Sequence, residues 1–407
     1  MPIPKTIKRP AKAPALAAAS PSARHALVLQ GGGALGAYQA GAYEALTEAR
    51  RTPQWIAGIS IGAVNAALIA GNPPEQGVQR LREFWELVSS GLAQRMPTWI
   101  GPRELFNDWS ALMGAMWGIP GFFEPRHSYA FWLGGASPVL SFYDTAPLRA
   151  TLERLVDFDR INAGETRVSI GAVNVRSGNS VYFDNAYGRI GPEHIMASGA
   201  LPPGFPPVQI DGESYWDGGL LSNTPLQYVL DSHPRNERLV VLQVDLFSAR
   251  GAVPRTLSEV LDRQKDITYS SRTRLNTDAL AANLNLQQSF ADLLAKLPAA
   301  LRADPSVAAV QAQLRCEPIE IYHLIYRNKP YELESKDYEF SRITVEEHWQ
   351  AGLHDMRTIL TQPEALRAGT DRLNGVTTYD LSEPGAPRVR HLMAHPADTV
   401  DKQHPLI

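Results

Sequence analysis

The spacing of apolar positions in the first 250 residues predicts alternating strands and helices. Short runs rich in apolar and β-branched residues indicate buried strands, and longer amphipathic or apolar stretches indicate helices. This pattern predicts strands at 25–30, 54–59, 167–174, 179–183 and 238–246, and helices at 37–49, 63–70, 77–88, 144–156 and 193–198. Alternating strands and helices favour a mainly parallel sheet covered on both faces, so the sequence predicts an α/β fold.

The pattern changes after residue 250. Long helical stretches at 256–297 and 345–360 enclose a short helix at 305–314 and an alternating, β-like segment at 319–326, which we expect could return to the main sheet. Residues 367–407 are rich in Pro, Gly and His. The predicted division of the chain is a disordered basic tail at 1–24, an α/β domain at 25–250, a mainly helical extension at 251–366 and an irregular tail at 367–407.

An aromatic stretch at 96–135 interrupts the α/β pattern. It holds four of the eight tryptophans and is broken by Gly and Pro. One interpretation is an irregular insertion that packs into the core. The other is an apolar wall or lid that holds acyl chains or touches a membrane surface.

Composition excludes several classes of protein. The single cysteine, Cys316, excludes a disulfide framework, argues against a zinc site built on cysteines and suits a reducing compartment. The net charge of −3 gives no overall electrostatic field that would attract nucleic acid. We also expect neither a metal nor a cofactor. The longest apolar run, 56–71, is too short and too polar to span a bilayer.

The first 24 residues carry five of the basic residues and no acidic one, which leaves −8 on the remainder. A signal peptide is the competing interpretation, but no apolar stretch of the usual length precedes the small residues of this tail. We therefore predict a cytoplasmic protein with a basic tail, whose contact with anionic lipid would be peripheral, weak and reversible.

The pentapeptide Gly58-Ile59-Ser60-Ile61-Gly62 stands between a predicted strand and a predicted helix. A turn this tight strains its central residue and leaves no room for side chains at Gly58 and Gly62. It presents the Ser60 hydroxyl at the top of the sheet, beside a helix N-terminus that favours negative charge. Ser60 is therefore a candidate nucleophile.

A glycine-rich loop, Gly31-Gly32-Gly33-Ala34-Leu35-Gly36, follows the first predicted strand. Consecutive glycines allow neighbouring N–H groups to point the same way, as stabilisation of an oxyanion requires. A phosphate-binding loop is the alternative, but the glycine spacing differs from G-x-G-x-x-G and no Lys-Ser/Thr follows. The sequence favours an oxyanion loop.

The base that activates Ser60 is less evident. His194 lies within a predicted helix and His233 lacks a turn signature, so neither matches the late loop histidine of a Ser-His-Asp enzyme. Asp217 follows an aromatic pair and precedes Gly218 and Gly219, where its carboxylate could project into a cleft with a raised pKa. Asp-Gly is also a common turn, so a purely structural role stays open.

These three motifs, in this order, resemble those of the patatin-like phospholipases, as does the stretch ASGALPPGFPPV that begins at Ala197. The resemblance covers about residues 25–250. It implies a three-layer α/β/α sandwich, a Ser60–Asp217 dyad without histidine or metal, an oxyanion loop at Gly31, Gly32, Gly33 and Ala34, and hydrolysis of fatty acyl esters. The other motif glycines, Gly36, Gly58, Gly62, Gly218 and Gly219, support these positions.

The sequence departs from the family pattern at Leu35, where many members carry Arg or Lys, which puts head-group preference in doubt. The resemblance favours a serine lipid acyl hydrolase acting on a lipid or other acyl ester. Two alternatives use the same features. An acyltransferase would share the site, and a lipid-surface protein with a vestigial site would depend on the basic tail and the aromatic stretch.

Overall fold

The strands of this chain form one mixed sheet with a parallel centre. The computed structural model describes residues 23–91, 102–126, 140–312, 314, 319–329, 331–361, 376–380 and 388–391. Ten strands of these segments join the sheet, and β3 and β4 form a separate antiparallel pair. The strands are β1 (Arg24–Leu29), β2 (Trp55–Ile59), β3 (Glu124–Pro125), β4 (Tyr143–Asp144), β5 (Arg167–Asn174), β6 (Ser180–Asp184), β7 (Val208–Ile210), β8 (Glu213–Asp217), β9 (Leu239–Asp245), β10 (Ile319–Ile325), β11 (Val376–Asp380) and β12 (Arg388–His391).

The helices lie mainly in the connections between the parallel strands and in the region after residue 250. Within the described segments they are α1 (Gly36–Glu48), α2 (Ile61–Ala70), α3 (Pro74–Val88), α4 (Arg103–Trp117), α5 (Ala146–Leu155), α6 (Phe158–Ala163), α7 (Pro192–Ser198), α8 (Leu226–Ser232), α9 (Leu257–Ala295), α10 (Ala299–Arg302), α11 (Pro305–Gln311) and α12 (Arg342–Thr361). Single turns of 3₁₀-helix follow β1 at Gly33–Leu35 and β8 at Gly218–Leu220.

The order of strands places β1 in the middle of the sheet. The order is β12-β11-β10-β9-β1-β2-β5-β8-β7, and β6 also pairs with β5. Strands from β11 across to β5 are parallel, and the strands beyond them at each edge are antiparallel. The carboxyl ends of β1 and β2, from which the glycine loop and the Ser60 turn begin, therefore lie side by side, with Leu29 opposite Gly58.

Alternate residues of β1 face two different cores. Leu27 and Leu29 belong to the larger core, which includes residues of α1, α2, α3 and α12. Ala26 and Val28 face the smaller core, which includes residues of α8. Apolar side chains are buried on both faces, as expected for a parallel sheet covered by helices. The predicted three-layer α/β/α sandwich with a helical C-terminal region is confirmed.

Two stretches differ from the prediction of irregular structure. Residues 103–117, inside the aromatic stretch, form the regular helix α4, because a proline at its start and a glycine with φ 83° at its end bound a segment with buried positions at helical spacing. Within 367–407, β11 and β12 extend the main sheet. The β11 sequence Val-Thr-Thr-Tyr consists of β-forming residues, which the composition of the tail obscures.

The region after residue 250 returns to the sheet, since β10 pairs in parallel with β9. The boundary near residue 250 stays a prediction. The basic tail up to residue 22 and the aromatic residues Trp99, Phe131 and Trp132 lie outside the described residues. Among the described helices, none has both the length and the apolar character needed to cross a bilayer.

Candidate active site

Ser60 occupies a strained turn between β2 and α2. Its φ and ψ are 55° and −124°, and residues other than glycine rarely adopt such a positive φ. A Cβ on Gly58 would lie 2.3 Å from the carbonyl oxygen of Gly62, and a Cβ on Gly62 would lie 2.4 Å from that of Leu29. Only glycine fits at both positions, as the pentapeptide predicts, and α2 begins at Ile61, directly after the serine.

A second serine holds the turn in place. The amide of Ser60 donates a 2.9 Å hydrogen bond to Oγ of Ser198, and that hydroxyl donates a 2.6 Å bond to the carbonyl oxygen of Gly171. Ser198 is fully buried at the end of α7. Sequence reasoning missed this role, although the residue belongs to the Ala-Ser-Gly-Ala stretch that supports the family resemblance.

The glycine loop lies directly against Ser60. A Cβ on Gly31 would lie 3.0 Å from the Cβ of Ser60. The buried Asn223 fixes Gly31 from both sides, because the Gly31 amide donates to the Asn223 carbonyl at 3.1 Å and Asn223 Nδ2 donates to the Gly31 carbonyl at 2.9 Å. The contact between Asn223 and the loop is a further contribution to the site, and sequence reasoning did not identify it.

Two of the four predicted oxyanion donors make other hydrogen bonds. The Gly31 amide is bound to Asn223, and the Ala34 amide donates a 2.8 Å bond to the carbonyl oxygen of Asp337. Among the described residues, no acceptor receives a bond from the amides of Gly32 or Gly33. Of the four predicted donors, Gly32 and Gly33 are therefore the ones whose amides make no other hydrogen bond within the described segments, and both residues line the cavity that contains Ser60.

Asp217 lies at the end of β8, opposite Ala172 of β5, and is only 2% exposed. Its Oδ1 accepts a 2.7 Å hydrogen bond from the Gly219 amide. Burial raises the pKa of Asp217 to about 7, and hydrogen bonds from the Gly219 amide and the Ser60 side chain limit this rise. The Ser60 side chain therefore lies close enough to Asp217 to favour its charged form, and both residues line the same cavity.

The remaining motif positions pack the site closely. A Cβ on Gly218 would lie 2.7 Å from the carbonyl oxygen of Gly171, and one on Gly36 would lie 2.5 Å from Ile61 Cγ1. Leu35, where the sequence departs from the pattern of the family that it resembles, is fully buried in the larger core. Its side chain therefore lies away from the cavity.

The two candidate histidines are engaged elsewhere. Nδ1 of His194 accepts a 2.9 Å hydrogen bond from the Gly191 amide, and its ring packs edge-on against Phe183 with 4.5 Å between centroids. Nε2 of His233 lies 2.8 Å from the carbonyl oxygen of Glu237. Neither residue lines the cavity that holds Ser60 and Asp217.

This cavity has a volume of about 440 Å³ and an aromatic wall. Two residues of the wall come from the aromatic stretch and four from the chain after residue 245. The wall consists of Phe122, Phe123, Tyr143, Phe205, Phe247, Tyr269, Tyr338 and Phe340. The arrangement provides an apolar space, of a size suited to a small molecule, directly beside a serine hydroxyl and a carboxyl group.

The charged residues among those that line the cavity are Asp217 and Asp337. Asp337 also binds Lys265, whose Nζ lies 2.7 Å from its Oδ1. Across the described residues, no group of three or more His, Cys, Asp or Glu side chains could hold a metal ion.

Family models match most of this chain. A model described as patatin-like phospholipase matches residues 27–230, and one described as patatin phospholipase matches residues 267–371. Comparison with curated protein sequences gives no match. The first model contains the glycine loop, the Ser60 turn and Asp217, and the second contains Asp337 and the other cavity residues from α9 onward.

Several solved structures are similar to this chain. VipD from Legionella pneumophila is 14% identical with a TM-score of 0.33, and the match covers 82% of this chain and 68% of VipD. Human GIVD cytosolic phospholipase A2, in complex with methyl gamma-linolenyl fluorophosphonate, is 13% identical with a TM-score of 0.34 and coverages of 85% and 59%. ExoU from Pseudomonas aeruginosa is 18% identical with a TM-score of 0.25 and coverages of 63% and 51%.

Proposed function

Because the chain belongs to the patatin-like phospholipase family, we propose that it is a serine lipid acyl hydrolase with a Ser60–Asp217 dyad. One observation carries this proposal: Ser60 and the buried Asp217 line one apolar cavity together with the glycine loop, and the Ser60 side chain favours the charged form of the Asp217 carboxyl group. A nucleophile needs a base within hydrogen-bond reach and donors for the developing oxyanion, and these residues supply both.

The reaction begins when Ser60 Oγ attacks the ester carbonyl and its proton passes to Asp217. The carbonyl oxygen becomes negatively charged and accepts hydrogen bonds from the unused amides of Gly32 and Gly33, close to the N-terminus of α2. As the tetrahedral intermediate collapses, the alcohol leaves with the proton from Asp217. An acyl chain remains on Ser60.

The second half of the reaction repeats these steps with water. Asp217 takes a proton from a water molecule while the water oxygen attacks the acyl-enzyme, and the same amides stabilise the second oxyanion. Collapse returns the proton to Ser60 and releases a fatty acid. The aromatic wall holds the acyl chain by apolar contact, which suits a lipid substrate.

Product analysis tests this function most broadly. Wild type and Ser60→Ala are incubated with a mixed lipid extract, and fatty acids and deacylated lipids are measured by mass spectrometry. Only the wild type should release them. Ser177→Ala is the matched control, because Ser177 is exposed in the β5–β6 turn and lies outside the cavity lining. Equal product release by wild type and Ser60→Ala would contradict the proposal.

The lipid substrate also bears on location. A cytoplasmic protein that touches a membrane peripherally would meet its substrate at the lipid surface, and this location stays a prediction.

Ester hydrolysis on Ser60 would need no cofactor, since the nucleophile, base and oxyanion donors that we propose all belong to the chain.

A further inference from the structure

Ala34, which directly follows the proposed oxyanion donors, is held on both sides by residues after 330. Its amide donates a 2.8 Å bond to the Asp337 carbonyl, and its own carbonyl oxygen lies 3.4 Å from Nδ1 of His348. The first contact orients the peptide between Gly33 and Ala34, and the second orients the next peptide. Gly33 has φ 53°, a conformation that glycine adopts readily, and a Cβ there would lie 2.0 Å from the carbonyl oxygen of Asp337.

His348 is fully buried and contacts a buried carboxylate with its other nitrogen. Its Nε2 lies 2.7 Å from Oε1 of Glu332. Glu332 also accepts 2.8 Å hydrogen bonds from the Tyr326 hydroxyl and the Lys329 amide. Burial alone would raise the pKa of Glu332, but His348 and these donors keep it below its usual value.

The partners of His348 fix the direction of its hydrogen bonds. An ionised carboxylate and a backbone carbonyl are both acceptors only, so a hydrogen bond from His348 to either one needs a proton on the ring nitrogen that faces it. His348 therefore links Glu332 to the carbonyl of Ala34. Since all three groups are buried, loss of either bond leaves a polar group without water to replace it.

The helix that carries His348 is packed directly on the helix that follows the glycine loop. A Cβ on Gly41 of α1 would lie 1.9 Å from the carbonyl oxygen of Trp349, and a Cβ on Gly352 of α12 would lie 1.9 Å from that of Tyr38. The two backbones approach this closely only because both residues are glycine. The position of His348 relative to the loop is thus fixed by backbone contact.

We propose that Glu332 and His348 are positioning residues that hold the Ala34 peptide and thereby aim the amides of Gly32 and Gly33 at the oxyanion. This inference rests on the proposed function and extends it to the second family-model region. The residues act through the loop and do not touch the reacting atoms. Removal of one oxyanion donor typically lowers kcat by about 10²–10³-fold, so a misaligned pair should lower it by about tenfold or more.

Two substitutions at residue 348 separate its two hydrogen bonds. The amide nitrogen of His348→Asn can take the place of Nδ1 and keep the bond to Ala34, whereas that of His348→Gln can take the place of Nε2 and keep the bond to Glu332. Each variant is assayed for kcat and KM on a p-nitrophenyl ester, and for its melting temperature. His233→Gln is the matched control, since His233 is also buried but lies outside the cavity lining.

We expect His348→Gln to lower kcat about tenfold or more with KM within about twofold, and His348→Asn to stay within about threefold of wild type in kcat. His233→Gln should change only the melting temperature. If His348→Gln kept full kcat while its melting temperature fell, the role of His348 would be structural and the inference would be overturned. Should both His348 variants fail to fold, Glu332→Gln takes the same test. It leaves His348 in contact with Ala34, as His348→Asn does, so we expect a loss of about threefold in kcat, and full kcat would count against the inference.

The wild type separates failure of this inference from failure of the proposed function. If wild type hydrolyses the ester and Ser60→Ala does not, the proposed function stands whatever the result at His348. If wild type shows no Ser60-dependent hydrolysis, the proposed function fails and this inference fails with it.

Discussion

The backbone amide of Gly219 donates a 2.7 Å hydrogen bond to Oδ1 of Asp217. This bond and the Ser60 side chain stabilise the charged carboxylate, while burial destabilises it more strongly, so that the pKa of Asp217 rises from 3.8 to about 7. A carboxyl group with such a pKa can both accept and return a proton at neutral pH. We therefore propose that Asp217 exchanges a proton with Ser60 without a histidine.

Activity should follow the ionisation of Asp217. The base must be ionised to accept the Ser60 proton, so kcat/KM should rise about tenfold per pH unit below pH 7 and level off above it. The measurement is kcat/KM from pH 5 to pH 9, with release of the fatty acid as the readout. A profile that stays flat down to pH 5 would exclude a base with this pKa.

The free energy of unfolding should also depend on the ionisation of Asp217, but it should fall as the pH rises. The pKa of Asp217 is higher in the folded protein than in the unfolded chain, so the fold is more stable when Asp217 is protonated. This contribution to stability is fully present below pH 3.8 and is lost as the pH rises through 7. Asp217→Asn should therefore be more stable than wild type by up to about 4 kcal/mol at pH 8, with a smaller gain at pH 5. Urea unfolding at the two pH values measures this difference. An equal gain at both pH values would show that Asp217 does not titrate between them in the folded protein.

The turn that presents Ser60 should not tolerate a side chain at Gly62. A Cβ there would lie 2.4 Å from the Leu29 carbonyl oxygen, so Gly62→Ala should lower stability by about 1–3 kcal/mol and reduce activity by displacing Ser60. Chemical denaturation and ester hydrolysis measure the two effects. Gly188→Ala is the control, because a Cβ on Gly188 would have no atom within 4 Å. Wild-type behaviour of Gly62→Ala would mean that the turn can relax.

The aromatic wall should set the preferred chain length of the acyl group. The ring of Phe205 packs against Phe123 with 5.2 Å between centroids and lines the cavity, so Phe205→Ala enlarges the space beside Ser60. Relative kcat/KM for long over short p-nitrophenyl esters should rise by about tenfold. Phe142→Ala is the control, since Phe142 is 54% exposed and outside the lining. An unchanged chain-length profile would place the acyl chain elsewhere.

The sequence predicts those parts of the site that depend on side-chain size and polarity. Gly58 and Gly62 stand out because the Ser60 turn leaves no room for a Cβ, and the apolar run of β1 and β2 predicts the buried centre of the sheet. Asp217 is recognisable because two glycines follow it directly. The roles of these residues depend on their side chains, so the residue types alone are enough to predict them.

Contacts made by the backbone leave no such signal. Ala34 was predicted as an oxyanion donor, but its amide binds the carbonyl oxygen of Asp337, a residue 303 positions away whose identity does not reveal this contact. The same holds for the Asn223 carbonyl that binds Gly31 and the Gly171 carbonyl that binds Ser198. The tertiary arrangement alone selects which amides of the loop stay available.

The dyad is tested most directly by the ester hydrolysis rate of Asp217→Asn, expressed per folded molecule. We expect a loss of at least about 10³-fold with the fold intact, because the asparagine amide cannot accept the Ser60 proton. Asp211→Asn is the control on the same hairpin: Asp211 is exposed, its φ of 50° suits asparagine, and its activity should stay at the wild-type level. Wild-type activity of Asp217→Asn, or loss of activity in His194→Ala alone, would contradict the Ser60–Asp217 dyad.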